Sequence, residues 1–349
     1  MRDTTIAVLI PVYNESQTIA KVIDDFAREL PQATIYVYDN NSSDGSAAIA
    51  AEQGAVVRKE TRQGKGNVVR QMFREIDADY YVMVDGDDTY PAEAVHSLLE
   101  PLWTGEADMV IGDRLSNFTY HRENKRAFHS FGNNLVRKLI QLIYGVRITD
   151  VLTGYRAFSR LYVKACPILS RGFEIETELT IHSIDKNWRI CEVPIDYRDR
   201  PEGSVSKLST FGDGFKVLLK ILSLFKDYRP LVLFAIIACV LLLVGIIVGI
   251  TVIVDYLNTG LVARFPSAIL AVGLVFSGLL CLTSGLILDT TVKSWRKHYE
   301  LTVTHDYAAQ QRYQQGRSAQ QRYQQGRSAQ DTVERTDARQ RSVDKTQER

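Results

Sequence analysis

The chain has 349 residues, 45% of them hydrophobic and 24% charged, with 42 Lys+Arg against 41 Asp+Glu for a formal net charge of +1. So even a balance argues against nucleic acid as the main partner, because polyanion binders are lopsidedly basic. The four cysteines, Cys166, Cys191, Cys239 and Cys281, form no C-x-x-C pair, which argues against a disulfide framework or a structural zinc site and fits a reducing compartment.

The opening MRDTTIAVLIPVYNES turns polar after a few apolar residues, so no secretory signal is expected and the first 230 residues are expected to stay where they are made. TTIAVLIPV reads as a continuous apolar strand, and Ile19, Val22, Ile23, Phe26 and Leu30 as a helix ended by Pro31. ATIYVYD, a short helix from Ser46, AVVRK, a helix over Lys65 to Glu75, YYVMVD, a helix begun at Pro91, and DMVIGD follow in order. Strands alternating with helices predict parallel strands with crossovers, a doubly wound α/β sheet whose ligand sits at the carboxyl ends of the strands. Four of those ends carry polar clusters: PVYNE, DNNSSDGS, DGDD and GDR. One such cluster reads equally as a helix cap, as for Ser16 or Ser46. Four together predict a site.

VMVDGDDTYP places Asp85, Asp87 and Asp88 directly after an apolar strand. Two carboxylates flanking a glycine there suit one hard divalent cation, which in turn bridges the phosphates of a nucleotide. The alternative for Asp88 is a cap on the helix that starts at Pro91.

Further along, Phe215, Leu218, Leu219, Leu222 and Phe225 recur at helical spacing over 210–229, with Lys216, Lys220 and Lys226 largely off the stripe. This suits either a helix in the membrane interface or an amphipathic helix packed on the domain. Leu231 to Val254 and Phe265 to Leu288 are each 24 residues without a charge, about 36 Å as helix and long enough to span a bilayer. The spans are read as 230–254 and 265–289, with a short external loop 255–264 between them. Lys220, Lys226 and Arg229 precede the first, and Lys293, Arg296 and Lys297 follow the second, so the positive-inside rule puts both ends in the cytoplasm. QRYQQGRSAQ occurs twice in tandem, at Gln311 to Gln320 and Gln321 to Gln330, and the polar stretch 299–349 is expected to be disordered.

PVYNE at Pro11 to Glu15, YDNNSSDGS at Tyr38 to Ser46, RQGKGNVVRQMF at Arg62 to Phe73 and DGDDTY at Asp85 to Tyr90 resemble the inverting family-two glycosyltransferases. TDVLTGYRAFSR, GFEIETEL and VPIDYRDRPEGSVSK narrow the resemblance to the polyisoprenyl-phosphate branch, which is dolichol-phosphate mannose synthase-like and includes bactoprenol glucosyltransferases. It covers roughly residues 5–210 and continues into the two-span part. The fold implied is a GT-A-type (Rossmann-like) α/β nucleotide-sugar-binding domain over 1–209, followed by an interfacial helix and two transmembrane helices.

The resemblance implies that Pro11, Tyr13, Glu15 and Asp39 hold the nucleoside, Asp39 accepting from the base. Asn40 stands where many members carry a second Asp. Lys65 and its neighbouring glycines approach the donor, although Gly64 and Gly66 alone read equally as a tight turn. Asp85 and Asp87 meet the sugar diphosphate and its metal, Mg2+ or Mn2+. Arg200 and Lys207 resemble a cationic loop closing over the phosphates, with solvated surface charge as the alternative for each. Asp87, Asp150 and Glu176 are the candidate catalytic residues. Alternatives are a helix cap for Asp150 and a solvated helix face for Glu176. Arg114, Arg126 and Arg137 are candidates for the acceptor phosphate.

The implied reaction transfers a hexose, with inversion, from a nucleotide sugar to a polyprenyl (undecaprenyl) phosphate at the cytoplasmic face of a bacterial plasma membrane. UDP-glucose is the first choice and GDP-mannose the second. A processive polysaccharide synthase is disfavoured by the absence of a Q-x-x-R-W signature, and an inactive scaffold by the presence of every donor-site carboxylate required. Related enzymes associate through their membrane-proximal parts, which adds a homo-oligomer to the expected partners.

Overall fold

An apolar run of seven residues, six of them buried, makes Ile6–Val12 (β1) an interior strand of the sheet. The computed structural model describes residues 4–116, 127–198, 219, 223, 225–262 and 264–347, except the side chains of 127–135, 306 and 309–347. Side chains along β1 alternate between two layers: Ala7 and Leu9 join one buried cluster, while Ile6, Val8, Ile10 and Val12 join the other.

The chain then forms α1 (Ile19–Glu29), β2 (Thr34–Asp39), α2 (Ser46–Glu52), β3 (Val56–Lys59), α3 (Lys65–Glu75), β4 (Tyr80–Met83), α4 (Val95–Trp103) and β5 (Met109–Asp113). After these come α5 (Ala127–Tyr144), β6 (Arg156–Ser159), α6 (Arg160–Ala165), α7 (Ile175–Asp185) and β7 (Ile190–Pro194). The helices cover both faces. α1 buries Ile19, Val22, Ile23 and Phe26 alongside Val95, Leu98 and Leu99 of α4, while Val68, Val69, Met72 and Phe73 of α3 pack with Val136 and Ile140 of α5 on the opposite face. Both stripes keep the helical spacing that buries one side.

Strand order is β3-β2-β1-β4-β6-β5-β7. β1 runs parallel to β2 and β4, β2 to β3, and β5 to β7. The doubly wound core is as the sequence predicts, with one correction: β6 is antiparallel to both its neighbours, β4 and β5. Its approach explains the direction. The preceding segment bonds at the carboxyl end of the sheet, where Gly154 N–H donates to Tyr90 Oη (2.9 Å), so a strand leaving that end runs back toward the amino ends.

Residues Met1–Trp295 form one compact unit and Arg296–Arg349 another. In the first, Tyr228 packs beside Leu139, Ile143 and Tyr144 against the α3–α5 core, with the Lys186 ammonium 5.8 Å from its ring centre. Immediately after it, α8 (Pro230–Thr259) begins, one residue beyond Arg229, whose guanidinium lies 5.8 Å from the Tyr144 ring centre. α8 outlasts the expected span, ending at Thr259 with Gly260 as its cap, and Arg264 Nε pairs with Asp255 (2.9 Å) across the turn to α9 (Phe265–Gln347). Each apolar window is only 11% buried. That is unlike a soluble core helix, so α8 and the apolar start of α9 are two candidate membrane spans.

Leu219 and Phe225 of the juxtamembrane stripe are described, whereas Phe215, Leu218 and Leu222 lie outside the described residues. α9 is continuous to Gln347, along the polar stretch for which disorder is expected. Each ten-residue repeat holds four Gln and two Arg, residues of good helix propensity, beside one Gly.

Candidate active site

The carboxyl ends of β1 and β2 are joined by hydrogen bonds from the moment the strands stop. Asn40 N–H donates to Val12 O (2.8 Å). Asn14, in a left-handed conformation at φ 56°, accepts from Ser43 N–H (2.8 Å) and donates its own N–H to Ser42 Oγ (2.9 Å). Ser46 is no cap for α2: its buried hydroxyl accepts from Glu15 N–H (2.8 Å) and donates to Asp44 (2.5 Å). Ser16 N–H also donates to Asp44 (2.9 Å). Burial pushes the Asp44 carboxyl up, but these bonds outweigh it and hold it at about 2. Asp39 is buried and accepts from Ser42 N–H at 3.2 and 3.3 Å, whereas Tyr13 keeps its ring 40% exposed at the rim.

Asn40 explains its own identity. Its Nδ2 donates to Glu60 O (2.8 Å) and Arg62 O (2.9 Å), and its Oδ1 accepts from Gly64 N–H (2.7 Å). A carboxylate there would face two carbonyls with no proton to give. Through Gly64, Asn40 places the start of α3. Gly64 has φ +125°, and a Cβ on it would collide with Arg171 O. Asn67 N–H and the Arg70 guanidinium bond carbonyls of the same 168–171 segment, and Glu178 accepts the N–H groups of Leu169 (3.1 Å) and Ser170 (2.7 Å).

This seating aims Lys65, the first residue of α3, at two acids. Its Nζ lies 2.5 Å from Asp85 Oδ1 and 2.5 Å from Glu176 Oε1, with side-chain exposures of 9% for Lys65, 27% for Asp85 and 5% for Glu176. Burial opposes the Lys65 charge, but the two carboxylates outweigh it and hold the ammonium far above its usual range. Burial pushes Glu176 up, against the pull of Lys65. Glu176 is therefore no solvated helix face. Asp87 is buried and accepts from Thr89 Oγ (2.7 Å) and Thr89 N–H (3.3 Å), while Asp88, rather than capping a helix, pairs with Lys21 (2.7 Å).

Beside this cluster lies a second one. Arg114 grips Asp150 with Nε (2.7 Å) and an Nη (3.0 Å), the bidentate geometry that suits a guanidinium and a carboxylate. Its carbon sits 5.9 Å from the Tyr90 ring centre and 5.6 Å from that of Tyr197. Asp150 is fully buried and caps no helix. Burial pushes it up, but Arg114 outweighs that and lowers it. Glu192 accepts the N–H groups of Thr149 (2.7 Å) and Asp150 (3.1 Å), and Arg137 Nε donates to Ile148 O (3.3 Å). The two clusters meet where the backbone of Gly154 covers Asp85: a Cβ there would lie 2.9 Å from Asp85 Cγ.

Sequence reasoning missed Arg156, Glu178, Tyr90 and Glu192. Arg156 is wholly buried and donates to Val151 O (2.7 Å), Thr153 O (3.1 Å) and Thr180 Oγ (3.0 Å), so it fixes the segment between Asp150 and Gly154. Its signal was a lone charge opening an apolar strand, RAFS. Arg198 N–H donates to Thr89 O (3.0 Å), so the chain toward Arg200 and Lys207 departs from the Asp87 turn. Arg126, Arg200 and Lys207 themselves lie outside the described residues.

Residues 7–166 match the family Glycosyl transferase family 2. The chain is 35% identical over 230 residues to Glycosyltransferase AglJ of Haloferax volcanii, covering 66% of this chain and 75% of that protein. It is 31% identical over 209 residues to the dolichyl-phosphate hexose transferase of the same organism, covering 60% of this chain and 89% of that one. Among solved structures, glucosyl-3-phosphoglycerate synthase from Mycobacterium tuberculosis, in complex with Mn2+, UDP-glucose and phosphoglyceric acid, shares the fold with a TM-score of 0.51 at 23% identity, over 63% of this chain and 79% of that one. The chain belongs to glycosyltransferase family 2 and is a glycosyltransferase.

Proposed function

We propose that this enzyme transfers one hexose, with inversion, from a nucleotide sugar to a polyprenyl phosphate at a membrane surface. The observation that carries this reading is the junction of Tyr228 and Arg229, packed against the catalytic domain immediately before α8. An acceptor whose tail stays in the bilayer is reached by a site rooted beside it. The dolichyl-phosphate hexose transferase, similar over 89% of its length, supports the same acceptor class. Two spans put both termini on the side of the catalytic domain, and the flanking Lys and Arg favour the cytoplasmic side.

In this reading Pro11, Tyr13, Glu15 and Asp39 hold the nucleoside, and Asp85 and Asp87 hold a divalent ion together with the donor diphosphate. Among the described residues no three or more His, Cys, Asp or Glu side chains cluster to hold a metal alone. Two hard carboxylates still fit Mg2+ or Mn2+, because Mg2+ commonly takes one or two protein carboxylates and completes its shell with substrate phosphates and water. Such an ion, when bound, neutralises charge on the leaving diphosphate. Lys65 keeps Asp85 and Glu176 at fixed separation, and Glu176 orients a sugar hydroxyl. Arg114, held by Asp150, together with Arg126 and Arg137, draws the acceptor phosphate, while Arg200 and Lys207 close over the donor phosphates. A phosphate monoester has its second pKa near about 6, so it arrives as a nucleophile and needs no strong general base.

The sugar we favour is glucose from UDP-glucose. Radiolabelled UDP- and GDP-sugars, incubated with membranes carrying the enzyme and undecaprenyl phosphate, test this directly. Labelling by UDP-glucose is expected, and labelling by GDP-mannose alone overturns it.

A further inference from the structure

Arg114 is held from more than one side. Asp150 takes its Nε and one Nη, and a bidentate pair of this kind is neutral as a whole, so the carboxylate that fixes the guanidinium also cancels much of its pull on a phosphate. Aromatic faces fix a cation without that loss, because the attraction comes from the ring quadrupole and brings no counter-charge. Two such faces are present. The guanidinium carbon lies 5.9 Å from the centre of Tyr90 and 5.6 Å from that of Tyr197, both within reach of this attraction, and the Arg114 side chain is only 12% exposed, which strengthens it. The ring centres are 6.1 Å apart and the planes stand at 79°, so the rings form a corner rather than a parallel clamp. Tyr90 is braced in turn by Tyr155, whose ring centre is 5.4 Å away and which packs edge-on against Phe26 of α1.

Tyr90 also reaches the other ion cluster. Its buried hydroxyl accepts from Gly154 N–H (2.9 Å) and Thr153 Oγ (3.4 Å), in the stretch whose backbone covers Asp85. Burial pushes the phenol up to about 12, so it stays neutral beside that acid. Ring and hydroxyl therefore act in two directions, one on Arg114 and the other on the backbone over Asp85.

We infer that Tyr90 and Tyr197 are positioning residues for the transfer: together they form an aromatic corner that holds the Arg114 guanidinium toward the acceptor phosphate, and the Tyr90 hydroxyl ties that corner to the donor side through Gly154. This rests on the reading above in which Arg114 draws the acceptor phosphate and Asp85 meets the donor diphosphate.

The two roles separate by substitution in the full-length chain, with KM for undecaprenyl phosphate read from transfer and affinity for UDP with Mn2+ read by titration calorimetry. Tyr197→Leu is expected to raise KM for the lipid phosphate about tenfold and leave UDP affinity within about twofold, with Tyr197→Phe close to the native chain. Tyr90→Phe keeps the ring and removes the acceptor of Gly154 N–H, so it should weaken UDP binding about fivefold and leave the lipid-phosphate KM within about twofold. Fluorinated phenylalanines at position 197 give a check that does not depend on how well the leucine variant folds, since fluorine drains the ring face while nearly keeping its shape. KM for the lipid phosphate should climb with each added fluorine, without a matching fall in Tm. No trend with fluorination, Tyr197→Phe as impaired as Tyr197→Leu, or a Tyr197→Leu or Tyr90→Phe variant that changes neither affinity or both equally overturns the inference and reduces the rings to packing. Arg114→Ala separates it from the reading beneath. If that variant leaves the lipid-phosphate KM unchanged, Arg114 does not serve the acceptor and both fall; if it raises KM while position 197 has no effect, only the aromatic corner falls.

Discussion

Lys65 Nζ stands 2.5 Å from Glu176 Oε1, so the first residue of α3 and the first turn of α7 meet over Asp85. Removing the cation leaves two acids facing each other in a largely buried place, and breaking such a pair costs about 3–5 kcal/mol. Lys65→Met should therefore lower stability by that order and abolish transfer. Lys65→Met with Glu176→Gln should recover much of the stability but little activity. Chemical denaturation and transfer assays on the single and double variants check both, and strict additivity in stability would sink the pairing.

Asn40→Asp tests the link from the nucleoside corner to α3. It replaces a group that donates to Glu60 O and Arg62 O by one that cannot, at a cost of about 1–3 kcal/mol. UDP affinity should fall with it, because the turn that seats Lys65 loosens. Denaturation midpoints and UDP titration give both numbers.

Asp87→Asn should remove most transfer, about a hundredfold or more if it helps hold the metal and diphosphate, while changing Tm by only a few degrees. The amide keeps an oxygen that accepts from Thr89 and leaves no cavity. Chelation with EDTA should copy the variant. Full activity of Asp87→Asn in chelator would overturn the metal assignment.

Asp150→Asn is expected to act through Arg114. The guanidinium loses its counter-charge, so KM for the lipid phosphate should change more than UDP affinity does. Kinetics with acceptor and donor varied separately will show the split. An equal effect on both would assign Asp150 to folding alone.

His182 supplies a pH prediction. Burial, helped by Lys186, pushes its imidazole down to about 3 from the usual value near 6.5. The unfolded chain takes up a proton below pH 6.5 that the folded chain refuses, so stability is full above that value and falls as pH drops toward 3. Thermal melts between pH 7 and 5 should slope downward in the native chain and less so in His182→Leu.

Much of the fold was legible in the sequence, because β1, β2, β4 and β5 are apolar runs that end abruptly in polar clusters. The stripes of α1 and α3 were equally plain. What stayed hidden depended on contacts between distant segments. Glu176 lies on a helix whose buried face includes Glu178, Thr180, His182 and Ser183, so its polar spacing imitated a solvated surface. The reverse direction of β6 comes from the segment ahead of it lying across the strand ends, which four residues of strand cannot announce.

Gly154 contributes no charge, donates a single N–H and would escape notice in any inventory of reactive groups. Its backbone nevertheless forms the lid on Asp85, within a methyl group's reach of the carboxylate. In a substitution scan it should tolerate change as poorly as the acids around it, for the opposite reason. The acids are required for what they bring, and position 154 is required to stay empty, so that even alanine there would act as a built-in wedge between the two ion clusters.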